Sequence, residues 1–329
     1  MLFLIILIMG TLISISSFSW FSMWMGLELN LLAFIPLMNE SSSKSSEASL
    51  KYFIIQALSS MLVLFSILMS SLMNENLSII EPPMNLILNS ALMTKLGAAP
   101  FHFWFPEIIE GLNWINCLIL MTWQKIAPFI LFSYNFFNLY FIWMVIFSSM
   151  LISGFMIWNQ TSLKKIMVFS SINHIGWMVS ILIFNPMIWI IYFLIYSFIS
   201  SILVFMFFKF KIYTIQNILN FLNFKKMKKM FFFLNFFSLG GLPPFLGFLP
   251  KWIILKILLE KNFIFLSLMM IFFTLITLYV YIQLCIQSMI MKFEEKKNIF
   301  FLSKNFIFEK FTYCNIFGLV IFMLILNFV

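Results

Sequence analysis

Read by polarity alone, the chain is a series of long apolar runs divided by short polar segments. Runs near 20 residues, the length that crosses ~30 Å of hydrocarbon, fall at about 1–20, 22–38, 52–73, 84–106, 112–134, 138–158, 166–184, 187–208, 230–256, 262–290 and 309–328. The pattern predicts an all-α polytopic membrane protein of about eleven transmembrane helices. No polar loop separates the first two runs at Phe21. The first run has neither a charged segment before it nor a small-residue cleavage site, so it reads as a span rather than a signal peptide.

The lysines supply a check on this alternation, because basic residues collect on the side of synthesis. Loops on one side hold Lys44, Lys51, Lys164, Lys165, Lys209, Lys211, Lys225, Lys226, Lys228, Lys229, Lys292, Lys296, Lys297, Lys304 and Lys310, 15 of the 20 basic residues. The opposite loops hold Lys256 and Lys261, and Lys95, Lys125 and Lys251 fall inside predicted spans. This puts the N-terminus on the Lys-rich side and the C-terminus opposite. Lys51, Lys164 and Lys165 read as orientation anchors.

A repeat is embedded in the pattern. GAAPFHFWFPE begins at Gly97 and GLPPFLGFLPK at Gly241, and Gly97/Gly241, Pro100/Pro244, Phe101/Phe245, Pro106/Pro250 and Ile109/Ile253 share one offset. The two stretches belong to the fourth and ninth spans, which run in opposite directions, so the repeat is inverted. Proline has no amide donor, and each stretch is expected to be a broken helix, near Pro100/Pro106 and near Pro244/Pro250. Transporters place their sites at such breaks, where freed backbone groups meet a charge. In hydrocarbon an unsatisfied carbonyl costs several kcal/mol, so a break persists only against protein or water.

Composition agrees with the membrane reading: 63% of the 329 residues are hydrophobic, 9% charged, and the mean hydropathy is +1.06. Too few polar side chains exist to cover a water-soluble domain. All basic residues are Lys and all acidic ones Glu, with Phe and Met abundant along with Ile and Asn; Phe, Ile, Lys and Asn have A/T-rich codons, a bias expected of a genome such as an organelle's.

Charges within the spans are the candidate chemistry. Glu28, Lys95, Lys125 and Lys251 would each cost roughly 2.5 to 3.5 kcal/mol if isolated at the bilayer centre, so they are expected to face inward, as a Glu-Lys pair and a lysine chain joined by water. Lysine's proton affinity responds strongly to burial and to a nearby carboxylate. Breaking an ion pair by a small helix movement is worth about two pKa units, or ~2.7 kcal/mol. Carrying one charge through ~100 mV takes ~2.3 kcal/mol, so one pair can drive or gate one proton. His102 and His174, with Ser170, Ser171 and Asn173 nearby, can extend such a path.

Other chemistry is not indicated. Cys117, Cys285 and Cys314 are scattered and the two histidines lie far apart, so no metal, haem or iron-sulfur ligand spacing is present. No phosphate-cradling glycine loop follows a strand. The basic run FKKMKKM borders a span and reads as an orientation signal rather than a nucleic-acid site.

MGLELNLLAFIPLM, TKLGAAPFHFWFPEIIEGL, TWQKIAPF, NQTSLKKIMVFSSINHIGWM and SLGGLPPFLGFLPKW occur in this order. Together they resemble the NADH-ubiquinone oxidoreductase chain 2 family, mitochondrially encoded subunits of respiratory complex I. The resemblance covers most of the chain, with little beyond about residue 290. It implies a single antiporter-like membrane domain over 1–329, with five-helix inverted repeats at about 1–134 and 138–290 and a C-terminal helix at about 309–328. It implies that Glu28 pairs with Lys95, that Lys125 is the central proton-carrying lysine, and that Lys251 links the second half-channel toward a neighbouring antiporter-like subunit. His174 would lie on the polar axis between Lys125 and Lys251. NADH, FMN, iron-sulfur clusters and ubiquinone would belong to other subunits, leaving no cofactor in this chain. Its partners would be complex I subunits and membrane lipid, with no nucleic acid. It would lie in the mitochondrial inner membrane, with its N-terminus in the matrix and its C-terminus in the intermembrane space.

Two further readings stay open on the residues themselves. A stand-alone cation/proton antiporter would use the same repeat and the same Glu-Lys pair. A purely structural membrane subunit would use its polar residues only to assemble.

Overall fold

The computed structural model describes residues 1–40, 42–73, 81–135, 138–220 and 226–290, together with Thr312, Asn315 and Gly318. These are helical almost throughout. The elements are α1 (Leu2–Ser16), α2 (Trp20–Met38), α3 (Ser43–Met73), α4 (Glu81–Leu96), α5 (Trp104–Gly111), α6 (Trp114–Met121), α7 (Trp123–Tyr134) and α8 (Leu139–Met156). They continue as α9 (Leu163–Leu182), α10 (Pro186–Phe210), α11 (Ile215–Asn220), α12 (Lys226–Gly240), α13 (Phe248–Glu260) and α14 (Ile264–Ile290). The predicted C-terminal span at 309–328 lies outside the described residues except for Thr312, Asn315 and Gly318, which are helical.

The junction near Phe21 is resolved by capping chemistry. α1 ends at Ser16, and the Ser19 side chain accepts from the amide of Ser22 at 3.3 Å to start α2. Serine at this position meets an amide that has no partner in the first turn. α3 begins at Ser43, earlier than its apolar run, and its 31 residues make about 46 Å at ~1.5 Å per residue. That exceeds the hydrocarbon, so its Ser-rich first turns, which also carry Lys44 and Glu47, extend beyond the apolar segment. Lys51 lies on this helix rather than in a loop, bridging Glu47 at 2.9 Å and Glu107 of α5 at 3.2 Å.

Among the described residues, seven helical segments are individually long and apolar enough to cross a membrane. Neither half of the α4/α5 or α12/α13 pair is among them. These are the two stretches in which the sequence predicts broken helices, and both are broken. The break has the same form each time. Gly97 (φ +70°) and Gly241 (φ +81°) adopt the left-handed conformation, which a Cβ disfavours. The amide of Ala98 reaches back to Met93 O at 3.1 Å and that of Gly97 to Thr94 O at 3.1 Å. Leu242 N reaches Phe237 O at 3.2 Å and Gly241 N reaches Ser238 O at 3.1 Å. Both are Schellman ends, which satisfy the last free carbonyls.

The four prolines divide into two roles. Pro100 and Pro244 lie between the half-helices, where chain direction is reset. Pro106 and Pro250 are the third residues of α5 and α13, where an amide would have no intrahelical partner. They open the second half-helix and remove no bond from the first.

The chain divides into two compact units, Met1–Ser149 and Met150–Val329. In the first, α1 packs on α2 backbone to backbone: a Cβ on Gly26 would come within 2.6 Å of Ser14 N, and one on Gly10 within 2.9 Å of Asn30 N. Small residues spaced four apart permit this approach in membranes. α2, α4, α5 and α7 gather around α3 and α1, and Asn135 past α7 donates to Asn89 of α4 at 2.8 Å. In the second unit α9 is the central helix, buried along its length apart from Lys164 and Lys165. It packs on α10, α13 and α14.

Candidate functional site

Lys95, Lys125 and Lys251 are only 8%, 2% and 6% exposed. Burial this complete excludes a head group that snorkels out of the protein. Each lysine belongs to an irregularity in a helix.

Lys95 is the penultimate residue of α4, beside the Gly97 break. Cations are favoured there, because the carbonyl end of a helix carries partial negative charge. Its side chain borders a small cavity lined by Asn30, Tyr52, Gln56, Trp104 and Gln124 among others, with about 20 Å³ for water, enough for about one molecule. Gln124 Nε2 donates to Asn30 Oδ1 at 3.0 Å across this wall. Glu28, half-buried on α2, lies between Leu27 and Asn30, which line the same cavity as Lys95. Among the described residues no direct ion pair closes between the two.

Lys125 stands three residues past an interruption that divides α6 from α7 at Thr122. The Thr122 hydroxyl bonds back to Leu118 O at 2.7 Å, an arrangement that bends helices. Lys125 N takes Thr122 O at 3.1 Å, a tight i to i−3 bond. Its Nζ lies 5.4 Å from the centre of the Phe105 ring, within cation–π range. Trp104 and Phe105 thus face the two lysines of this unit, the indole at the Lys95 cavity and the phenyl under Lys125. Trp104 Nε1 also donates to Thr94 O at 3.0 Å, closing over the end of α4.

In the second unit Lys251, on the first turn of α13, reaches back across its own break. Its Nζ donates to Gly240 O, the last residue of α12, at 2.8 Å. The same ammonium lies 5.8 Å from the ring of Trp177. Trp177 is one turn along α9 from His174, whose Nδ1 is 2.7 Å from the Tyr192 hydroxyl. His102, in the linker between α4 and α5, faces Pro100 O at 3.3 Å.

The first unit therefore gathers Glu28, Lys95 and Lys125, and the second gathers His174 and Lys251. Sequence reasoning missed Asn30, Gln56, Gln124, Thr122, Trp177, Tyr192 and Tyr196. Gln124 and Thr122 adjoin Lys125 in TWQK, and a polar pair within an apolar run was their available signal. The others gain meaning only from partners distant in sequence.

The arrangement can be set beside known proteins. Residues 17–277 match the family described as NADH:quinone oxidoreductase/Mrp antiporter, TM. The NADH-ubiquinone oxidoreductase chain 2 of Anopheles gambiae is 48% identical over 308 residues, 93% of this chain and 89% of that protein. The chain belongs to the NADH-ubiquinone oxidoreductase chain 2 family. Chain 2 of Locusta migratoria is 41% identical, covering 90% of this chain and 86% of its own. The chain 2 fold is shared more widely. A chain of respiratory complex I from Thermus thermophilus superposes with TM-score 0.80 at 21% identity, over 89% of this chain and 71% of that one. A chain of the Mrp complex of Dietzia sp. gives 0.73 at 16% identity, over 86% of this chain and 59% of that one. At these identities the likeness is one of antiporter-type fold.

Proposed function

We propose that this chain is a membrane-arm subunit of a proton-translocating NADH:ubiquinone oxidoreductase, multi-pass in the mitochondrial inner membrane. It moves protons while electrons pass from NADH to ubiquinone in other subunits, which hold FMN and the iron-sulfur clusters. Its neighbours are further antiporter-like membrane subunits. The N-terminus faces the matrix and the C-terminus the intermembrane space, a reading that the lysine asymmetry supports.

One observation carries the reading: three lysines are each more than nine-tenths buried in an apolar chain, all at helix irregularities. A structural subunit gains little from three buried ammonium groups, because desolvating each costs several kcal/mol. Proton carriers need this placement. Glu28 acts on Lys95 and sets its charge, Lys125 carries the proton at the centre, and Lys251 passes it on, with His174 on the route. The Lys95 cavity has room for a water that would supply a hydrogen-bonded link within the first unit.

Mild solubilisation, native electrophoresis, NADH dehydrogenase staining and mass spectrometry test the assignment. Comigration with the stained high-mass band is expected. Migration apart from NADH-oxidising activity would establish the stand-alone antiporter instead. Within the assembled complex, Lys125→Ala should lower the protons moved per NADH oxidised; an unchanged ratio would remove Lys125 from the path.

A further inference from the structure

α9 is enclosed on every side, yet one stretch of it carries Ser170, Ser171, Asn173 and His174, all buried. A fully buried helix has no solvent to satisfy such groups, so each must find a protein partner. Ser170 and Ser171 donate back to the carbonyls of Met167 and Val168 on their own helix, each at 2.7 Å, while Asn173 and His174 find hydroxyls on neighbouring helices. Asn173 Nδ2 donates to Thr277 Oγ1 of α14 at 3.1 Å. Tyr192, one turn before Tyr196 on α10, meets His174 Nδ1 at 2.7 Å. The rings of His174 and Tyr196 stand 4.8 Å apart, centre to centre. The imidazole is therefore held at Nδ1 by Tyr192 and lies against the Tyr196 ring.

We propose that Tyr192 is the positioning residue for His174, holding Nδ1 as a donor so that Nε2 is the nitrogen that exchanges protons. This rests on His174 lying on the proton route. In the imidazolium both nitrogens are donors, so the Tyr192 oxygen must accept from Nδ1–H in that state. With the same bond kept in the neutral ring, the unprotonated nitrogen is Nε2. The arriving proton adds to that lone pair and leaves from the same nitrogen, with no bond at Nδ1 broken and no ring rotation. The partner bonded to one ring nitrogen thereby sets the chemistry of the other. A phenol suits the task because it accepts without carrying charge into the apolar surroundings.

The test uses the assembled complex in sealed vesicles, comparing Tyr192→Phe, His174→Ala and the double variant. Two quantities are read: protons moved per NADH oxidised, and the imidazole ring bands in infrared difference spectra, which separate the tautomers. Tyr192→Phe is expected to lower the proton ratio by the same fraction as His174→Ala. The double variant should be no worse than either, and the Nδ1–H band should be lost. Tyr196→Phe, which touches the ring but not its nitrogen, should keep that band. If His174→Ala lowers the ratio and Tyr192→Phe leaves both ratio and band at wild type, the positioning role is wrong. A wild-type ratio in His174→Ala would instead remove His174 from the route, and the inference with it. Should Tyr192→Phe fail to assemble, Tyr192→Gln, whose amide oxygen still accepts, is expected to keep the Nδ1–H band, and its loss there would overturn the assignment.

Discussion

The ammonium of Lys251 donates to the carbonyl of Gly240 at 2.8 Å, across the break between α12 and α13. The lysine caps the end of α12, and in the proposed mechanism it also holds a transferable proton. Substitution can separate them. Lys251→Gln keeps an N–H that can reach the carbonyl but cannot release a proton, so the complex should assemble and the proton ratio fall. Lys251→Met leaves the carbonyl unsatisfied, at a cost of about 1 to 3 kcal/mol, and should also reduce assembled complex on native gels. Equal assembly of the two variants would show that the capping bond contributes nothing.

The glycines that end α4 and α12 should resist replacement for one shared reason and one separate reason. Both have positive φ, so Gly97→Ala and Gly241→Ala should each lose about 1 to 2 kcal/mol, read as a lower inactivation temperature of the assembled complex. A Cβ on Gly241 would also press within 2.9 Å of Lys251 Cδ. Proton transfer should therefore suffer more in Gly241→Ala than in Gly97→Ala. The reverse order would contradict the position given to Lys251.

The Gln124–Asn30 hydrogen bond joins the residue next to Lys125 to the helix that bears Glu28. If it holds these helices in register around the Lys95 cavity, Gln124→Leu and Asn30→Leu should lower the proton ratio non-additively, with a coupling of roughly 0.5 to 3 kcal/mol. The length-exchanged pair, Asn30→Gln with Gln124→Asn, should recover part of the loss. Additive effects would mean that the two amides act separately.

Packing of α1 on α2 supplies a prediction independent of proton chemistry. Gly26→Ala places a methyl within 2.6 Å of the Ser14 amide, forcing the two backbones apart, and should cut the steady-state amount of assembled complex. Gly154→Ala is the control, since a Cβ there would first meet a ring carbon of Phe273 at 3.5 Å, an ordinary contact. Comparable loss in both would show that helix proximity at Gly26 is not limiting.

Much of the helix layout is legible in the sequence because membrane spans are written as long apolar runs, and the two breaks because glycine and proline punctuate them. The interruption at Thr122 was not legible: a threonine bonding back to its own helix looks like any other threonine in an apolar run. Nor were Tyr192 and Tyr196, which in a chain with 46 phenylalanines read as more aromatic filling. Their meaning comes from α9, whose polar residues can be read but whose partners cannot. Lys51 shows the converse. Its charge suggested an orientation anchor, and a contact 56 residues away reveals a tie between α3 and α5.

The two Schellman ends share a backbone but receive different plugs. At the first, the donor closing over Thr94 O is the Trp104 indole, which keeps its hydrogen at any physiological pH. At the second, the donor on Gly240 O is an ammonium that gives up a proton during turnover in the proposed mechanism. The first socket is permanently neutral and can only be a joint. In that mechanism the second would be a joint whose strength rises and falls with occupancy, each proton passing through Lys251 weakening and then restoring the tie between α12 and α13.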